Sequence, residues 1–200
     1  LIGSFDPESG LEHRAVVALL HELGHVVHHL VAVESRWVGL NGIPFGRDVA
    51  EIAPQVFEAW AWEPEVLARL GWGEDEVRQL LALERRIRGT RAMRQLLYAS
   101  YSLGLHTVPS GELALDDFDA RATARYGDGA RFAERLYAHF PHLVAYGSTY
   151  FAYEWARAVA CDVLGQVSGP STAAGALSPF VNAVMRRGKA GGPAQALEEL

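Results

Sequence analysis

Cysteine is all but missing from these 200 residues, and with Cys161 alone no internal disulfide framework can form. Long hydrophobic runs are missing too. The apolar stretches are broken by His, Glu or Arg well before the ~20 residues that would cross a bilayer, so no membrane span is expected. No segment has the charged start, apolar centre and cleavage site of a secretory signal, which makes the cytoplasm the expected compartment. Positive charge is nowhere concentrated. Eighteen Lys and Arg interleave with 24 Asp and Glu for a net charge of -6, leaving no basic stripe for nucleic acid. Internal repeats and low-complexity segments are absent as well. Strand-like patterning is confined to the opening Leu1-Ile2-Gly3-Ser4-Phe5, and a start without methionine reads as an excerpt of something longer.

What is present is apolar character in half of the residues, enough for one globular domain over 1–200 with a proper core. The spacing of those residues is helical nearly throughout, so the expected fold is mainly α, a multi-helix domain with few or no strands. Ser9 and Glu12 stand in capping-box spacing before a helix that runs to about Val33. Gly39, Asn41-Gly42, Pro44 and Gly46 mark a loop. Asp48 then caps a second helix reaching Trp60 to Trp62, with Pro54 kinking its first turns or delaying its start. A short helix over 63–70 ends at Gly71. From Glu74 to about Leu103 the pattern fits one long helix or two stacked ones broken at Gly89-Thr90. Further helices are expected near 112–126, 130–140, 150–165 and 177–187, with loops over 165–175 and 188–193.

Within the first helix stands His21-Glu22-Leu23-Gly24-His25. Residues four apart on a helix share a face, so His21 and His25 can offer imidazole nitrogens to one ion. Glu22 is turned by about 100° around the helix, where it can face a metal-bound water without ligating the metal, the position of a general base. Glu51 and Glu58, seven apart on the second helix, share a face and could complete the site between two helices. Two neutral imidazoles and one carboxylate leave a zinc site with net positive charge, which lowers the pKa of a bound water to about 7. Glu51 also stands three residues after Asp48, the spacing of a capping pair, so a purely structural role remains open for it. Glu34 would have to fold back to reach the ion and is a poor ligand. His13, His28, His29, His106 and His139 read as ordinary core, capping or surface residues rather than ligands, although His28 lies on the face of the two ligands.

Several blocks, in order, resemble the thimet oligopeptidase and oligopeptidase A family of zinc metallopeptidases. They are HELGHVVHHL at 21–30, EIAPQVFEAWAWEPEVL at 51–67, RQLLYASYSLGLH at 94–106 and HLVAYGSTYFAYEWARAVACDVL at 142–164. The resemblance implies Zn2+ held by His21, His25 and Glu51, with Glu22 catalytic. It implies a tyrosine-rich substrate loop in which Tyr150 and Tyr153 serve catalysis while His142 and Tyr146 bind substrate. Gly147 stands where the family has an acidic residue after the first tyrosine. By spacing alone, Tyr146, Tyr150 and Tyr153 form a helical core stripe; Pro141, Gly147 and Ser148 argue against uninterrupted helix. A phenol near the activated water could donate to the developing oxyanion. The family encloses its zinc in a deep channel between two helical halves, and the resemblance makes this chain the C-terminal catalytic part without the N-terminal one. The expected activity is a zinc-dependent endopeptidase hydrolysing oligopeptides, with a carboxypeptidase-type enzyme of the same architecture as neighbour. The alternative is a non-catalytic helical peptide-binding or structural domain retaining the zinc site. Oligomeric state is not legible.

Overall fold

The computed structural model describes residues 12–43, 46–109, 111, 114–126, 135–165 and 177–190. Every regular element among them is helical, as the periodicity predicts. No described helix is long and apolar enough to cross a membrane. The strand-like opening, the capping role of Ser9, Pro44 and most of the expected loop over 165–175 fall outside the described residues. The chain groups into two compact units, residues 1–81 with 155–200 and residues 82–154.

In the first unit, α1 (His13–Val31) starts where the amides of Ala15 and Val16 bond to the Glu12 carbonyl. It ends with the Ala32 amide on the His28 carbonyl, two residues short of the expected end. The second expected helix is two. α2 (Arg47–Ala50) and α3 (Ile52–Trp60) meet at Glu51. Pro54 supplies the reason, because without an N–H it leaves the Ala50 carbonyl four residues back without its helical donor. Asp48 is not the cap. The cap position is Gly46, and the Asp48 carboxylate accepts from the adjacent Val49 amide inside the first turn.

The 63–70 segment forms α4 (Pro64–Arg69), with Pro at its first position and left-handed Gly71 (φ +91°) after its end. The Trp72 amide bonds to the Leu67 carbonyl and the Gly71 amide to that of Ala68, the paired closure that a glycine at this point allows. α5 (Glu74–Thr107) runs through Gly89-Thr90 unbroken. The core of the first unit joins Val49, Ile52, Ala53 and Val56 of α2 and α3 to Ala156, Ala160 and Val163 of α9 (Ala152–Gly165). Val27 and Val31 pack against it, as do Phe180 of α10 (Ser178–Phe180) and Ala183 to Met185 of the π-helical turn that follows.

In the second unit, α6 (Leu115–Tyr126), α7 (Leu136–His139) and α8 (His142–Ala145) surround a core of Leu97, Tyr101, Leu136, Phe140 and Tyr150. Buried Asp119 ties it together. One carboxylate oxygen accepts from the Tyr101 hydroxyl at 2.8 Å and the Leu136 amide at 2.9 Å, and the other from the Arg135 amide at 3.1 Å. These bonds hold Arg135 in the left-handed conformation, φ +60°, from which α7 starts.

Candidate metal centre

The first unit brings His21, His25 and Glu51 together, the one group of three such ligand side chains that converges among the described residues. α1 supplies the imidazoles one turn apart, with ring centroids 4.9 Å apart and planes at 84°. The break between α2 and α3 supplies the carboxylate. Glu51 Oε2 lies 3.5 Å from His21 Nε2 and 3.7 Å from His25 Nε2. Neither separation is a hydrogen bond, and this buried oxygen has no hydrogen-bond partner. Two bonds of about 2.1 Å to one ion put their ends about 3.4 Å apart at the tetrahedral angle. The donor set and its spacing therefore fit a small divalent cation, and the orphaned oxygen is the atom such a cation would satisfy.

Glu51 makes no capping hydrogen bond with its side chain, so the capping-pair alternative is not what the structure displays. Burial foremost, with the charges of Glu58 and Glu22, pushes its carboxyl above the usual range despite the opposing pull of His21. His21 is turned by a further carboxylate, its Nδ1 standing 2.6 Å from Glu58 Oε1. That bond leaves Nε2 facing Glu51 and fixes ring orientation, the arrangement by which outer carboxylates support metal-ligating histidines. Burial works to lower the His21 pKa, but the bond to Glu58 and the charges of Glu58, Glu51 and Glu22 together raise it. His25 lacks such a partner, and burial with the charge of His21 brings it down. Glu22 is exposed, and its charge raises the pKa of His21, His25 and Glu51 alike.

One turn past His25 lies His28, with no exposed surface and neither ring nitrogen hydrogen-bonded. Burial, then the charges of His25 and His29, depress its pKa to about 4. The unfolded chain takes up this proton near 6.5 and the folded chain only near 4. Stability therefore falls as pH drops through that window, by about 3 kcal/mol in all. His28→Leu is expected to remove this part of the acid sensitivity and to leave stability at neutral pH equal or higher, since leucine buries no unpaired polar atom. Urea unfolding of parent and variant at about pH 7 and about pH 4.5 measures it. Equal pH slopes would contradict the assignment.

His142, Tyr146, Tyr150 and Tyr153 belong to the second unit, where they converge into one aromatic cluster. The His142 ring lies 5.2 Å from that of Tyr146 and 5.3 Å from that of Tyr150. The Tyr153 hydroxyl donates to that of Tyr146 at 2.5 Å. Tyr150 is buried, donates to Gln95 Oε1 at 3.0 Å and has its pKa pushed up to about 12 by burial first, so it stays a neutral phenol. The segment is not a single helix. α8 stops before Tyr146, Gly147 takes φ +55°, and a 3-10 turn over Gly147–Phe151 precedes α9. A glycine stands at 147 because its backbone is left-handed there. The buried Ser102 hydroxyl donates to the Gly147 carbonyl, and His106 Nδ1 bonds to the Ser102 carbonyl at 2.7 Å.

Sequence reasoning missed the anchors Gln95 and Ser102; serine and glutamine within an apolar helical pattern were the available signal. Of the other histidines, His13 bonds to the Ala61 carbonyl at 2.8 Å, consistent with an ordinary structural role.

A family model described as Peptidase family M3 matches residues 5–200. Oligopeptidase A of Escherichia coli (strain K12) is 29% identical over 180 residues, covering 77% of this chain and 25% of that protein. Dipeptidyl carboxypeptidase of the same strain is 30% identical over 161 residues, covering 74% and 24%. The organellar oligopeptidase A of Arabidopsis thaliana is 28% identical over 172 residues, covering 78% and 22%. The chain spans about a quarter of the length of the curated relatives it matches.

Proposed function

The chain belongs to peptidase family M3, and from that premise we propose that it carries the catalytic centre of a zinc-dependent endopeptidase acting on short peptides. The observation that carries the reading is the unpaired, buried Glu51 Oε2 facing the Nε2 atoms of His21 and His25 at 3.5 and 3.7 Å. Those three residues would hold the ion. When bound, zinc supplies Lewis acidity, which acidifies a water and polarises a carbonyl.

The chain's own residues do the rest. Glu22, exposed and next in sequence to His21, accepts the water's proton and returns it to the leaving amine. Glu58 holds the His21 ring so that Nε2 points at the ion. For Tyr150 and Tyr153 the family resemblance implies a part in catalysis, and each carries a phenol O–H, bonded to Gln95 and to Tyr146, of the kind that can donate to an oxyanion. Tyr146 and His142, packed on the same cluster, are the residues to which the resemblance gives substrate binding.

The reading is tested with a quenched fluorescent peptide. Cleavage is expected, with loss on metal chelation and return when zinc is added back. Cleavage that persists in metal-stripped protein would sink it.

A further inference from the structure

Gly24, inside the metal-binding pentapeptide, is the point where α1 meets α3 backbone to backbone. A Cβ built on it would stand 2.6 Å from Pro54 Cα, 2.9 Å from Pro54 N and 3.1 Å from the Ala53 carbonyl carbon. All three are main-chain atoms, so no side-chain rotation relieves them. Ordinary contact begins at 3.4 Å, and the two helices would have to part by about 0.8 Å. Gly24 is buried, and its neighbours Ala53 and Pro54 are fully enclosed in the first turn of α3. Proline suits the other side of the contact because it brings no N–H that would need a partner there.

This contact lies between the two parts of the ligand set. His21 and His25 flank Gly24 on α1, and Glu51 immediately precedes α3. We propose that Gly24, seated on Pro54, is a positioning residue that sets the width of the His21, His25 and Glu51 triangle and with it the size of ion the site accepts; the inference rests on the metal site proposed above. Two bonds of about 2.1 Å to one ion span about 4.2 Å at most, when collinear. Separations of 3.5 and 3.7 Å fall within that span. Widened by the full 0.8 Å they would reach about 4.3 and 4.5 Å and fall outside it.

The test is Gly24→Ala in the whole chain, with zinc and cadmium affinities measured by chelator competition and stability by urea unfolding of the metal-free protein. Zinc affinity is expected to fall at least tenfold, on the order of losses seen when a ligand's orientation is disturbed. Affinity for the larger cadmium ion should fall less, a change in ratio that a general loss of packing would not cause. The metal-free variant should also be less stable, although alanine exceeds glycine in helix propensity by about 1 kcal/mol. Val56→Ala is the second variant. It removes packing from the same core without entering the Gly24–Pro54 gap, and zinc affinity within threefold of the parent is expected.

Parental zinc affinity in Gly24→Ala would overturn the proposal, as would a tenfold loss in Val56→Ala. Failure of the unaltered chain to bind zinc would instead overturn the metal site itself.

Discussion

Replacing Glu22 by glutamine is expected to leave zinc bound and to lower turnover of a short peptide by about 10²- to 10⁴-fold, the usual contribution of a positioned general base. The substitution keeps size and helix propensity and removes only the capacity to accept and return a proton. Glu22 is exposed and contributes no buried contact, so stability should be unchanged. Its charge raises the pKa of both histidines, and the glutamine variant should therefore take up protons at His21 and His25 at slightly lower pH. Zinc content, unfolding free energy and kcat measured on the same preparation separate the roles. Turnover within threefold of the parent would remove Glu22 from the chemistry, and loss of zinc would make it part of the binding site instead.

Glu51→Ala should have the other large effect, on binding rather than on the proton. It leaves two imidazoles and no carboxylate, and zinc affinity should fall beyond the about 10- to 100-fold that follows from losing an outer partner. The metal-free protein should respond differently. Burial holds the Glu51 carboxyl above its ordinary range, so folding disfavours its charged form. A raised carboxyl pKa contributes stability only at low pH, and deleting the group should leave neutral-pH stability of the metal-free chain equal or higher. Chelator competition and urea unfolding test the two halves. A destabilised variant with parental zinc affinity would mean that Glu51 serves the α2–α3 junction and not the ion.

The pentapeptide was legible because its information is local: four residues along a helix put His21 and His25 on one face, and no other part of the chain need be known. Glu51 was legible as a carboxylate in the right block, and Pro54 as a disturbance of the helix start. What remained hidden was that the disturbance falls on Glu51 itself. Asp48 was misread because capping depends on where the helix begins, and Arg47 opens it with Gly46 at the cap position. Gly89-Thr90 read as a possible break, but neighbours rich in Leu, Arg, Glu and Gln outweigh the about 1 kcal/mol that one glycine costs.

Contacts between distant segments left no mark that a period could detect. The close approach of Gly24 to Pro54, the three bonds to Asp119 and the seat of Gly147 on Ser102 each join residues from separate elements. The tyrosines show the boundary well. Their i, i+4, i+7 spacing suggested a core stripe, and Gly147 suggested a turn. The turn holds and the helical stripe does not: the segment bends at Gly147, and of the three tyrosines only Tyr150 is buried.

The chemistry proposed for this chain requires that His21, His25 and Glu51 hold one ion. Metal content measured by mass spectrometry after zinc loading and exhaustive dialysis addresses it most directly, with the His21→Ala, His25→Ala, Glu51→Ala triple variant alongside. One zinc per chain in the parent and none in the triple variant is the predicted result. A parent that retains no zinc, or a triple variant that retains as much as the parent, would contradict the account.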